Sequence, residues 1–239
     1  MRKLVAKLGF GAWGLGGDSY GPISFQNGCE LIKKSLSKGI RFFDTSPTYG
    51  AGKSELIIGE ATSEFKDENL YICTKLGALP HVGKHMPHNF EPTFLKQSLY
   101  ASRFRLKRDF LDIVYLHSPP NKLDNKDINS IREVINQELE SEKIKKFGVS
   151  LKSPSDFKYF LDLFPEISAL QFNFNLIDQR AKDCGLLEYL SNSQTLGIAR
   201  TPFVFGFLAK ATKENLFGTN DHRKNWSTEQ INQWMESKN

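Results

Sequence analysis

The chain has 239 residues, 39% of them hydrophobic and 25% charged, a composition that suits one large core and argues against disorder. Lys and Arg number 32 against 27 Asp and Glu, a formal net charge of +5. That mild excess suits a small anionic ligand and lacks the dense basic stripe that nucleic acid requires.

Three widely spaced cysteines, Cys29, Cys73 and Cys184, form no CxxC pair. They argue against a disulfide framework or a cysteine zinc site and fit the reducing cytoplasm. No apolar run approaches the ~18 residues of a membrane span, and the N-terminal stretch lacks the pattern of a secretory signal.

Short apolar runs alternate with longer helix-like segments. In chain order the pattern predicts a strand over 7–14, a helix over 25–38, a strand over 39–45, a helix over 53–64 and a strand over 70–75. It continues with a helix over 92–104, a strand over 111–117, a helix over 127–141 and a strand over 145–150. A helix over 154–163, a strand over 167–174, a helix over 181–192 and a strand over 197–203 follow. The strands are nearly continuous in apolar content, as in sheets buried on both faces. Ser153-Pro154 reads as an N-cap with a first-turn proline, and Gly39 as the stop of the first helix.

The spacing of about 25–40 residues between strands is that of a βα unit, and no linker interrupts it, so residues 1–239 read as one α/β domain. No G-x-G-x-x-G follows the first strand, which leaves a doubly wound dinucleotide fold without its signal. Polar residues sit instead at the C-terminal ends of several strands, the pattern of a (β/α)8 TIM barrel. Only seven strands can be counted. After a loop over 206–223 and a helix over 227–236 the sequence ends, so the last βα unit is expected to be missing. The open barrel edge this would leave is costly and suggests a homo-oligomer that covers it.

Four side chains carry chemistry. Asp44, Lys75 and His117 each close an apolar strand, and Tyr49 follows Asp44 in the loop Thr45-Ser46-Pro47-Thr48-Tyr49-Gly50. Parallel barrel strands bring such ends to one rim. A phenol with an ordinary pKa of about 10 is a weak acid at neutral pH. A nearby ammonium from Lys75 favours its ionised form, and Asp44 can supply the counter-charge that a buried lysine needs. An imidazole can orient a carbonyl oxygen toward the phenol. The hydride that completes a carbonyl reduction has no source among amino acids, so a nicotinamide cofactor is implied.

At these residues the sequence resembles the aldo/keto reductase superfamily. The stretch from Gly39 to Gly50, continuing through Lys53-Ser54-Glu55-Leu56-Ile57-Ile58-Gly59-Glu60, resembles the family signature around its Asp and Tyr. Tyr71–Lys75, Leu111–Ser118 and Lys143–Ser150 resemble the Lys, His and fifth strands. The resemblance implies Tyr49 as general acid, Lys75 as the group that lowers its pKa, Asp44 as the partner of Lys75, and His117 as the orienter of the substrate carbonyl. It also implies that Ser150 and Gln171 hold the nicotinamide carboxamide and that Trp13 lines the substrate and nicotinamide side. Arg200 and Pro202, with Gly206 and Leu208, would lie along the cofactor, which is NADP with NAD as the alternative; Asp44 faces the cofactor too.

Three departures stand out. Leu151 replaces a common Asn, Arg200 replaces an aromatic that often stacks on the nicotinamide, and the region that holds the adenosine 2′-phosphate is absent. Some bacterial branches of the family carry Arg at that second position. The function implied is an NAD(P)H-dependent oxidoreductase acting on a small carbonyl substrate, an aldehyde, ketone or sugar. A non-catalytic or regulatory relative is the alternative. A metal-dependent hydrolase built on His81, His85 and His88 is disfavoured, because they share one loop without a carboxylate at ligand spacing; a loop over the pocket mouth is the expected role.

Overall fold

The computed structural model describes residues 8–65, 67, 69–80, 86–208, 221–225, 227, 229 and 232. Among them seven strands form one sheet: β1 (Phe10–Gly11), β2 (Phe42–Asp44), β3 (Tyr71–Leu76), β4 (Ile113–His117), β5 (Phe147–Ser150), β6 (Ile167–Asn173) and β7 (Leu196–Arg200). Each strand pairs in parallel with the next in sequence. A doubly wound sheet would reverse its strand order at a switch point. This order never reverses, as in a (β/α)8 barrel seen through its first seven strands. The crossovers carry α1 (Phe25–Ser37), α2 (Lys53–Thr62), α3 (Pro92–Leu106), α4 (Asn125–Glu140), α5 (Phe157–Leu163), α6 (Arg180–Asp183) and α7 (Leu186–Ser191).

Side chains alternate across a strand, and the alternation separates two cores. Phe43, Ile72, Val114, Leu116, Phe147, Val149 and Leu170 pack outward against the helices. Phe42, Cys73, Ile113, Tyr115 and Ala169 fill the barrel interior, with Tyr71, Leu196 and Ile198 against them. Continuing the inward face by two residues at each strand end reaches Asp44, Lys75, His117, Ser150, Gln171 and Arg200. The interior is therefore apolar below and polar at its C-terminal mouth.

Several boundaries differ from expectation for identifiable reasons. The predicted strand over 7–14 pairs only through Phe10–Gly11, and Trp13–Gly16 coil into a 3-10 turn that ends at Gly17 with φ 84°; position 7 lies outside the described residues. The helix predicted from 127 starts at Asn125, because the Asp124 carboxylate accepts from the Asp127 amide at 2.8 Å. Ser153 does not cap: its hydroxyl pairs with Ser155, and Pro154–Asp156 form a 3-10 turn before α5. The single helix predicted over 181–192 is two, split at Gly185 with φ 80°. The strand predicted to 203 stops at Arg200, because Thr201 turns to φ 59°. The helix predicted over 227–236 lies almost wholly outside the described residues.

Candidate active site

β2 ends on Asp44, and the next residues turn back under it. The Thr45 amide donates to the Cys73 carbonyl at 2.9 Å, which carries the β2–β3 pairing one step beyond the strand. The Thr45 hydroxyl donates to Ser54 Oγ at 2.8 Å, and Ser54 donates to the Ala12 carbonyl at 2.9 Å. This buried relay joins the loops after β1 and β2. Gly16 and Gly50 make the approach possible. A Cβ on Gly16 would stand 2.6 Å from the Gly50 nitrogen, and one on Gly50 would overlap the Gly16 carbonyl. The Tyr49 ring is thereby held over the barrel mouth.

Lys75 is 1% exposed. Its Nζ donates to Asp44 Oδ2 and to the Thr45 carbonyl, both at 2.8 Å, and lies 4.9 Å from the Tyr49 ring centroid. Burial pulls the ammonium toward its neutral form, but Asp44 and Tyr49 outweigh it and the pKa ends above the ordinary lysine value. Lys75 stays charged. For Tyr49 the largest influence is burial, which raises the pKa; Lys75 lowers it, and the net direction is up. The expected lowering by the ammonium is thus present but smaller than the desolvation that opposes it.

The carboxylate is held from both sides. Gln171 Nε2 donates to Asp44 Oδ1 at 2.9 Å, and Ser150 Oγ donates to Gln171 Oε1 at 2.8 Å. An unbroken chain therefore runs from β5 through β6 to Asp44 and Lys75, beside the Tyr49 ring. His117 closes β4 with its ring 6.0 Å from Tyr49 and nearly perpendicular to it, at 83°. Its Nδ1 lies 3.2 Å from Ser46 Oγ, and its backbone carbonyl accepts from His88 Nε2 at 2.9 Å.

All four proposed catalytic side chains converge, as do Ser150, Gln171 and Arg200. Trp13 stands 6.3 Å from Tyr49 between ring centroids. Pro202, Gly206 and Leu208 lie in the loop after β7, where the Leu208 amide donates to Phe203 at 3.1 Å. The Leu151 side chain turns into the outer core, and its carbonyl accepts from Arg200 Nη2 at 2.9 Å. Among the described residues no group of three or more His, Cys, Asp or Glu could hold a metal ion. His81 and His85 lie outside them, while His88 stacks on Phe90 at 5.5 Å and braces the β4 end.

Sequence reading placed Trp13 at the mouth but missed that Phe205 and His222 complete an aromatic wall there. His222 lies 4.5 Å from Trp13 and 4.8 Å from Tyr20, with Phe205 at 5.8 Å. The segment is strapped to the loop after β1: the His222 amide donates to the Ser19 carbonyl at 2.8 Å, and Arg223 Nη1 donates to Phe205 at 2.9 Å.

The donor set suits a nicotinamide dinucleotide. Arg200 Nε is buried in the mouth with no partner among the described residues. Beside Asp44 in the register, a Cβ on Gly11 would meet none of the described residues within 4 Å. The mouth thus offers an unused donor and room next to Asp44.

The sequence model of the aldo/keto reductase family matches residues 7–238, and the chain belongs to that family. It is 29% identical over 83% of its length to probable aldo-keto reductase 1 of Glycine max, covering 55% of that protein. It is 26% identical over 87% of its length to the aldo-keto reductase yakc [NADP(+)] of Schizosaccharomyces pombe, covering 61% of that protein. The solved glycerol dehydrogenase AKR11B4 from Gluconobacter oxydans superposes with a TM-score of 0.75 at 26% identity, over 95% of this chain and 70% of that one. The chain therefore spans less than two thirds of the length of these two curated relatives.

Proposed function

We propose that this protein reduces an aldehyde, ketone or sugar carbonyl to an alcohol, with a nicotinamide dinucleotide as reductant and Tyr49 as general acid. The observation that carries the reading is the buried Lys75 ammonium, held between Asp44 and the Thr45 carbonyl 4.9 Å from the Tyr49 ring centroid. A bound nicotinamide would supply the hydride to the carbonyl carbon. The protein supplies the rest. His117 and Tyr49, set at right angles, receive the carbonyl oxygen, and Tyr49 Oη gives it a proton. Lys75 stabilises the phenolate left behind. Asp44 offsets the charge of Lys75, and Ser150 and Gln171 keep Asp44 in place. Trp13, Tyr20, Phe205 and His222 shield one side of the mouth from water. NADP(H) is favoured over NAD(H), in keeping with the NADP(+)-named relative from Schizosaccharomyces pombe.

The test compares the chain with its Tyr49→Phe variant over a panel of aldehydes, ketones and sugars. Loss of a positioned proton donor should lower kcat by about 10²–10⁴-fold with the NADPH Kd nearly unchanged. Turnover retained by the variant would defeat the acid role of Tyr49.

A further inference from the structure

Ser46 touches both Tyr49 and His117. Residues 46–49 make a tight turn with the rigid Pro47 second, and the Tyr49 amide donates to the Ser46 carbonyl at 3.1 Å. The Ser46 side chain is 0% exposed and meets the ring of His117, itself 7% exposed. Ser46 Oγ stands 3.2 Å from His117 Nδ1 and 2.8 Å from Thr48 Oγ1, and it accepts from the Thr48 amide at 3.2 Å. The main chain of His117 is tethered separately, because its carbonyl accepts from His88 Nε2 at 2.9 Å.

Counting protons leaves two arrangements for a neutral imidazole, which donates through one ring nitrogen and accepts through the other. A serine hydroxyl has one proton and two lone pairs, and the Thr48 amide takes one of the lone pairs. In the first arrangement Ser46 donates to Thr48 Oγ1 and accepts from His117 Nδ1–H, so Nε2 is left as an acceptor. In the second, Thr48 donates to Ser46, Ser46 donates to Nδ1, and Nε2 carries the proton. A substrate carbonyl oxygen offers only lone pairs, so His117 can hold it through Nε2 only in the second. We propose that Ser46 is a positioning residue for the reduction: its hydroxyl donates to His117 Nδ1 and so holds the imidazole as the Nε2–H tautomer that orients the substrate carbonyl. This assignment rests on the reading of His117 given above.

The test reads the tautomer directly, from the ring ¹⁵N shifts of His117 at neutral pH, with the signal assigned by its loss in His117→Asn. The wild-type chain should show a protonated Nε2 and a bare Nδ1. Thr48→Val takes away the competing acceptor and should keep that tautomer. Ser46→Ala should lose it and lower kcat by about tenfold, the upper worth of one neutral hydrogen bond, with the NADPH Kd within about twofold. A wild-type ring protonated at Nδ1, alone or at both nitrogens, would overturn the assignment, as would a switch of tautomer in Thr48→Val. So would an unchanged tautomer or an unchanged kcat in a folded Ser46→Ala chain. If Ser46→Ala does not fold, the wild-type and Thr48→Val spectra still decide the direction of the bond. A wild-type chain with the expected tautomer that reduces no carbonyl with NADPH would defeat the proposed function while upholding the hydrogen bond, which separates the two failures.

Discussion

Two effects oppose each other on the Tyr49 proton. Desolvation raises the pKa and the Lys75 ammonium lowers it; desolvation wins. The phenol therefore keeps its proton through the neutral range, and loss of reduction rate from Tyr49 ionisation should begin only above about pH 10. A kcat profile that falls through Tyr49 ionisation near neutral pH would contradict the balance. Lys75→Met should lower kcat by about 10²–10³-fold, since the phenolate would lose its stabilising charge and Asp44 its partner. The same burial bears on stability. Tyr20 is pushed up to about 12, chiefly by burial, and Tyr49 and Tyr115 are raised as well. A raised folded-state pKa contributes stability that is complete below the unfolded value and lost as pH rises through the folded one. Melting temperatures should hold to about pH 10 and fall above it. Asp44, Lys75 and His117 were legible because each is a polar group closing an apolar strand, with Tyr49 close behind. The Thr45–Ser54–Ala12 relay and the packing of His222 on the loop after β1 were not. Their partners are brought together only by the fold, in the latter case across 203 positions.

The α2–α3 contact is held by a buried ion pair. Glu55 is 0% exposed, pairs with Arg105 Nε at 2.6 Å and accepts from Thr74 Oγ1 at 2.5 Å. Arg105→Ala would leave a buried carboxylate without its cation and should cost about 3–5 kcal/mol, measured by chemical denaturation. The same helices touch at Gly59, where a Cβ would overlap the Arg105 carbonyl. Gly59→Ala should destabilise by about 1–3 kcal/mol through overpacking, despite a helix-propensity gain of about 1 kcal/mol. A stabilised variant would contradict the close approach. Most strand and helix positions could be read from apolar periodicity, because each crossover covers a sheet buried on both faces. The misreadings fall where backbone conformation overrides side-chain pattern: Gly17 ends the turn that replaces strand at Trp13, Gly185 breaks the helix over 181–192, and Thr201 ends β7.

Across the molecule, packing is uneven around the barrel. The residues of β4 and β5 are buried throughout, whereas Gly197 and Ala199 of β7 expose their outer face. Hydrogen exchange should be slowest in β3–β5 and faster in β7; equal protection would mean that β7 is covered in solution. The fold class was legible because seven strands recur with a helix-like segment between each and the next, and the mouth because Asp44, Lys75 and His117 close three of them, whereas Ser150, Gln171 and Arg200 were marked only by the family resemblance. Cofactor-dependent reduction at that mouth is tested most directly by titrating the purified chain with NADPH, following protein and cofactor fluorescence. Saturable binding with a Kd in the micromolar range, lost on competition with NADP⁺, is the expected result. A folded chain whose fluorescence does not respond to NADPH at any accessible concentration would contradict it.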